Sequence, residues 1–157
     1  MRKAGIRLEV PGKAAVQLTD LLLDFTGTLS LDGRLLPGVG ARIRRLAKAV
    51  NISVATADTF ATAGKALSRL PVRLMLVRTG ADKATLVRRL GAAHVAAVGN
   101  GCNDVAMVRA AVLGIAVIGP EGASGELART AKVVVCDIRD ALDLLLNPLH
   151  LKATLRD

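Results

Sequence analysis

The sequence predicts an α/β fold, an open and mostly parallel sheet with helices on both faces, and three observations carry that prediction. Short apolar runs alternate with stretches of helical period. The connections between them are only a few residues long. The first strong run, Leu21-Leu22-Leu23, shows no polar alternation, as expected of a strand covered on both faces.

In chain order, Ile6 to Val10 and Ala14 to Leu18 flank Pro11-Gly12 and read as an N-terminal β-hairpin. Leu21 to Leu23 form the first buried strand and end at Asp24. From Pro37 the period changes: Val39, Ile43, Leu46 and Val50 share one helical stripe, with Arg42, Arg44, Arg45 and Lys48 elsewhere. A strand over Ile52 to Ala55 precedes a helix from about Phe60 to Leu70, and Pro71 restarts a strand at Val72 to Val77. Asp82 is placed to cap a helix carrying Leu86, Val87 and Leu90, stopped by Gly91. The pattern continues as strand Val95 to Val98, helix Asp104 to Val112, strand Gly114 to Ile118 and helix Ser124 to Ala131. Strand Val133 to Cys136, helix Ile138 to Leu146 and a short piece after Pro148 complete it.

Composition bounds the function. At 157 residues, 52% of them apolar, the chain suits one domain, 1–157, with a hydrophobic core. Aromatics make up 1%, so the stacking platforms on which nucleobases sit are missing. The formal charge of +9 fits a surface that attracts phosphorylated substrates, a nucleic-acid surface, or a genome that writes Arg for Lys. Met1 to Gly5 lack the apolar core of a signal peptide, and no run approaches the roughly 20 apolar residues of a membrane span. Cys102 and Cys136 have no metal-type spacing. These features point to the cytoplasm, free thiols and no membrane partner.

Active groups of such sheets collect where strands end at their C-terminal edge. Here the ends carry Asp24-Phe25-Thr26-Gly27-Thr28-Leu29, then Thr56-Ala57-Asp58, then Arg78, Thr79, Asp82 and Lys83, then Gly99-Asn100-Gly101-Cys102-Asn103-Asp104. Together they offer a carboxylate nucleophile, hydroxyls, a lysine, and oxygens for a hard cation. Phosphoryl transfer needs such a set, because charge spreads over three phosphate oxygens and must be neutralised and oriented. Asp58 reads equally as a helix cap. Cys102, His94 and His150 read as packing or surface residues.

Asp24 to Ser30 resembles the first motif of the haloacid dehalogenase superfamily, in particular the Asp-Lys-Thr-Gly-Thr-Leu-Thr of its P-type ATPase branch. Thr56-Ala57-Asp58 is similar to Thr-Gly-Asp, Lys83 stands where the third-motif lysine belongs, and Gly99 to Asp104 resembles Gly-Asp-Gly-x-Asn-Asp. The likeness runs in order from about Leu21 to Ile118 and is closest to the soluble P-type ATPase-like hydrolases. It implies a Rossmann-like, capless phosphohydrolase or phosphotransferase using magnesium and an aspartyl phosphate on Asp24. By the same resemblance Thr26 lends its backbone carbonyl to the metal, Thr56 and Ala57 hold phosphate oxygens, and Lys83 neutralises charge. Asn100 and Asp104 complete the metal side, and Asn103 orients the loop.

Two departures matter. Thr26 stands where most phosphatases of the superfamily have a second Asp acting as acid and base, so activated esters and acyl phosphates are expected to be favoured. Asn100 stands where an Asp usually binds metal, which predicts weaker magnesium binding. A pump is excluded, because the segment from Leu29 to Thr56 has no room for an inserted nucleotide domain. The expected partner is a small phosphorylated substrate, with homo-oligomerisation covering the open site. A catalytically weak relative serving as a binding or regulatory subunit is the alternative, and a nucleic-acid role ranks last.

Overall fold

The N-terminal residues fold back as expected: β1 (Ile6–Leu8) and β2 (Val16–Leu18) pair antiparallel, and Lys13 N–H closes the intervening turn on the Val10 carbonyl at 3.1 Å. The computed structural model describes residues 3–57 and 61–157. In order there follow β3 (Asp20–Asp24), β4 (Ser30–Leu31), β5 (Arg34–Leu35), α1 (Val39–Leu46), β6 (Asn51–Thr56), α2 (Ala61–Leu67), β7 (Arg73–Leu76) and α3 (Gly80–Leu90). The second half holds β8 (Val95–Gly99), α4 (Val105–Ala110), β9 (Leu113–Val117), α5 (Gly125–Thr130), β10 (Val133–Val135), α6 (Ile138–Leu146) and α7 (Pro148–Leu155). Short 3-10 turns at Ala92–His94 and Cys102–Asp104 lead into β8 and α4.

Six strands form one sheet in the spatial order β10, β9, β8, β3, β6, β7, and every neighbouring pair is parallel. The unbroken apolar run of β3 has the predicted cause. Leu21 and Leu23 enter a core with Val39, Ile43 and Leu46 of α1 and Ile138, Ala141, Leu142 and Leu145 of α6. Leu22 faces the other way, among Val87 of α3, Val105, Met107 and Val108 of α4 and Leu127 of α5. The chain winds outward from β3 through β6 and β7, then returns to start again at β8 on β3's other side. The strand order therefore reverses between β3 and β8, the crevice where open α/β sheets place their ligands.

Three local readings differ from the sequence-based expectation. Thr79, not Asp82, caps α3: its side chain accepts from Asp82 N–H, while the Asp82 carboxylate accepts from Thr79 N–H at 3.0 Å and Arg78 N–H at 2.9 Å. This is a reciprocal capping box, with Asp82 at its third position. A β4–β5 hairpin, unforeseen in the sequence, turns through Asp32 (φ 50°) and Gly33 (φ 76°), the two left-handed residues of a type I′ turn. The segment expected as a helix from Asp104 instead begins as a 3-10 turn and becomes α-helical only at Val105. Asp58, Thr59 and Phe60 lie outside the described residues, and with them the possible cap role of Asp58.

The Thr79 cap sets where α3 starts, and through it where Lys83 stands. Thr79→Ala should cost about 1 kcal/mol and lower the melting temperature by roughly 2–4 °C, measured by calorimetry. No change would show that the box contributes nothing.

Candidate active site

Four strand ends build the site. Asp24 is the last residue of β3, in register with Ala55 of β6, so Thr56 lies one step beyond it on the neighbouring strand. On the other side Leu23 pairs with Val98, which puts Gly99 and the 99–104 loop beside Asp24. Lys83 rides on the first turns of α3, whose start touches that loop. A Cβ at Gly80 would lie 2.7 Å from the Asn103 carbonyl oxygen, so only glycine lets the helix come this close.

The consequence is a buried trio. Lys83 Nζ donates to Asp24 Oδ1 and to Asp104 Oδ1, both at 2.7 Å, with Lys83 only 1% exposed. Asp104 is sealed from solvent, and its other oxygen accepts from Asn100 N–H at 3.0 Å and Gly101 N–H at 3.1 Å. Asp104 thus organises the loop and anchors the lysine. One ammonium is shared between two carboxylates, and the protonation equilibria reflect that. Burial would lower the Lys83 pKa, but the Asp24 and Asp104 charges overcome it and hold the ammonium above its usual range. Burial, and then the Asp104 charge, raise Asp24 to about 6 against the opposing pull of Lys83 and Thr28.

Thr28 is the site residue that the sequence did not single out. It is fully buried, and its Oγ1 lies 3.0 Å from Asp24 Oδ2 and 3.2 Å from Asn100 Oδ1. One hydroxyl has one proton for these two acceptors. With Asp24 ionised, an oxygen is therefore left facing another oxygen, an arrangement that a hard cation relieves. Asp24 Oδ2 and Asn100 Oδ1 lie on the side of Asp24 turned from the lysine, and oxygen donors of this kind suit magnesium. Among the described residues no three His, Cys, Asp or Glu side chains are placed to hold a metal together, so amide and backbone oxygens must complete any such set.

The structure brings Asp24, Lys83, Asn100 and Asp104 into one hydrogen-bonded cluster. Thr56 is buried at the end of β6, its carbonyl accepting from Val77 N–H at 3.0 Å, and Ala57 is exposed just beyond it. The Thr26 side chain is exposed, while its backbone bridges to Ser30. Cys102 is exposed with its thiol 3.1 Å from Ser124 Oγ, and His94 Nδ1 lies 2.9 Å from the Gln17 carbonyl, both away from the carboxylates' bonds. A second residue missed in the sequence is Glu121, whose carboxylate packs on Gly27. Nothing in Gly119-Pro120-Glu121-Gly122 marks it as more than a turn.

No family model matches the chain. An uncharacterized protein of Methanocaldococcus jannaschii is 54% identical over 63 residues, which span 40% of this chain and 68% of the archaeal one. The 3-deoxy-D-manno-octulosonate 8-phosphate phosphatase of Moraxella catarrhalis, solved with magnesium, phosphate and a sugar molecule, superposes with a TM-score of 0.67. It is 17% identical, and the match covers 83% of this chain and 87% of the phosphatase. A zinc-transporting P-type ATPase superposes at 0.64 with 26% identity over 76% of this chain, which spans only 20% of the ATPase. The six-stranded sheet is the fold shared by hydrolases of the haloacid dehalogenase superfamily. The chain belongs to one family with the archaeal protein. Among the described residues no helix is long and apolar enough to cross a membrane.

The raised Asp24 pKa has a measurable sign. The unfolded chain releases this proton near 3.8 and the folded chain near 6, so between those values the folded state holds more protons. Stability from this group is full below the lower value and is lost as pH rises through the upper one. Metal-free protein should lose roughly 3 kcal/mol this way between about pH 4 and about pH 7. Asp24→Asn removes the effect, so chemical denaturation of both forms across this range should show their difference moving in the variant's favour. A constant difference would contradict the assignment.

Proposed function

We propose that the chain is a magnesium-dependent phosphohydrolase or phosphotransferase acting through an aspartyl phosphate on Asp24. The observation that carries this reading is the Asp24 carboxylate itself. It stands at the C-terminal end of the central strand, at the reversal of strand order, with one oxygen on Lys83 and the other on Thr28. The likeness to a phosphatase solved with magnesium and phosphate supports the same class of reaction.

Asp24 Oδ1 attacks phosphorus, the bond from phosphorus to the leaving oxygen breaks, and that oxygen takes a proton from solvent. Water then attacks the phosphorus of the aspartyl phosphate, freeing phosphate and returning the carboxylate. Lys83 stands at the attacking oxygen and neutralises the incoming phosphoryl group. Thr56 and Ala57, at the end of the neighbouring strand, hold phosphate oxygens. Asp24, the Thr26 carbonyl and Asn100 would hold the metal, and Asp104, its oxygens on Lys83 and the loop backbone, would complete that side by placing Asn100. When bound, magnesium supplies Lewis-acid neutralisation of phosphoryl charge.

Thr26 sets the preference among substrates. A hydroxyl does not deliver a proton to a poor leaving group as a tuned carboxyl does. Small acyl phosphates and activated esters are therefore the favoured substrates. Between Asp24 and Thr56 the chain inserts only the β4–β5 hairpin and α1. The hairpin and α2 border a cleft of about 620 Å³ lined by Asp32, Arg34 and Lys65, a net charge of one positive.

The Thr26 and Asn100 departures also favour a second reading, a nearly inactive binding or regulatory subunit. Turnover of nitrophenyl phosphate with and without magnesium separates the two. The proposal expects magnesium-dependent turnover that Asp24→Asn lowers roughly a thousandfold or more in a folded protein. Substantial activity in that variant overturns the covalent mechanism. Nitrophenyl and acetyl phosphate should outpace sugar phosphates, and Thr26→Asp should narrow that gap. Equal rates on activated and alkyl esters in the unaltered protein would count against the role given to Thr26.

A further inference from the structure

We propose that Glu121 supplies the negative charge that Asn100 lacks, and that residue 100 is an amide because it tethers the loop carrying Glu121. The inference rests on the phosphoryl-transfer reading of the Asp24 site and adds to it a residue from outside the four strand-end motifs.

Residue 100 grips the loop after β9 at two points. Asn100 Nδ2 donates to the Gly122 carbonyl at 3.1 Å, and the Asn100 carbonyl accepts from Ser124 N–H at 2.8 Å. An aspartate at 100 could not make the first bond, since its oxygen would face the Gly122 oxygen with no proton between them. The tether lays the loop on the turn after Asp24: a Cβ at Gly119 would lie 3.2 Å from the Gly27 carbonyl oxygen. Gly27 has a φ of 76°, and a Cβ there would strike the Glu121 carboxylate and lie 2.8 Å from Asn100 Nδ2. Residue 27 must therefore be glycine on two counts, backbone conformation and space, and the space is filled by Glu121 and Asn100 together.

Charge makes the placement meaningful. Asp24 and Asp104 share Lys83, so the trio carries one net negative charge. A divalent cation brings two positive ones, and Asn100 adds oxygen without charge. Glu121 restores the balance. Its side chain is exposed, and among the described residues no hydrogen bond or ion pair occupies its carboxylate. An anion laid beside Gly27, three residues after Asp24, by a tethered loop, with no partner among the described residues, is available to a cation. Asn100 and Glu121 thus divide two tasks between them: one holds the loop, the other bears the charge.

The test is calorimetric titration of magnesium chloride into the full chain, without substrate, for the unaltered protein, Glu121→Gln, Asn100→Asp, the double variant and Asp24→Asn. Glu121→Gln should weaken magnesium binding about tenfold, within the range seen when a group supporting a metal's ligands is removed. Its metal-free unfolding midpoint should be unchanged, which separates a charge role from a merely structural one. Asn100→Asp in the Glu121→Gln background should recover most of the affinity, because it returns the missing charge. Unchanged affinity in Glu121→Gln, with Asp24→Asn weakened, overturns the role of Glu121 and leaves the site reading intact. Absence of magnesium binding, or affinity untouched by Asp24→Asn, overturns both.

Discussion

Everything in the site depends on one lysine held between two carboxylates in a dry place. Lys83 reaches Asp24 and Asp104 at 2.7 Å each, and neither carboxylate is more than 4% exposed. Two like charges buried side by side repel, and removing the cation between them would leave an uncompensated charge costing about 3–5 kcal/mol. The fold is arranged to prevent that. The two-faced strand β3 delivers Asp24 to its end, the capping box at Thr79 fixes the first turn of α3, and Gly80 lets that turn touch the loop that carries Asp104. Asp104 in turn spends its second oxygen on the backbone of the loop, so the loop's shape and the lysine's position depend on the same side chain.

Burial, and after it the Asp104 charge that shares the same ammonium, leave Asp24 less stabilised as an anion than an exposed ion pair would be and raise its pKa to about 6. A carboxylate held in that state is ionised near neutrality yet poorly satisfied, with Thr28 offering it a proton that Asn100 also wants. In the proposed function an incoming phosphoryl group and cation would relieve both conditions at once. By linkage, each of these two ligands should raise the other's affinity by the same factor. The fold is shared with phosphatases and with a fifth of a zinc-transporting ATPase at low identity, so the chemistry of this chain has to be argued from these contacts and not from the likeness.

Much of this was legible in the sequence because the relevant signals are local. The Leu21 to Leu23 run, the stripe of Val39, Ile43 and Leu46, and Gly91 at the end of α3 each state their environment within a few residues. Asp24, Lys83, Asn100 and Asp104 stood out because each follows a strand or opens a helix. The two-residue strands β4 and β5 are too short to show alternation, and only Asp32-Gly33 hinted at their turn. Thr28 looked like one more hydroxyl in a motif, since a contact with Asn100 across 72 residues has no local signature. Glu121 was invisible for the same reason: its significance lies in Gly27, nearly a hundred residues upstream. Asp82 was misjudged as the cap because either partner of a reciprocal box fits the pattern, and only the start of the helix tells which is first.

The central claim is that Asp24 becomes phosphorylated. Acetyl phosphate and magnesium, mixed with the protein and quenched in acid within a single turnover, allow the modified peptide to be mapped by mass spectrometry. The account predicts one phosphoryl group on Asp24, lost on treatment with hydroxylamine and absent from Asp24→Asn. Turnover with phosphate on another residue, or with no phosphorylated protein at any time in the cycle, would contradict it.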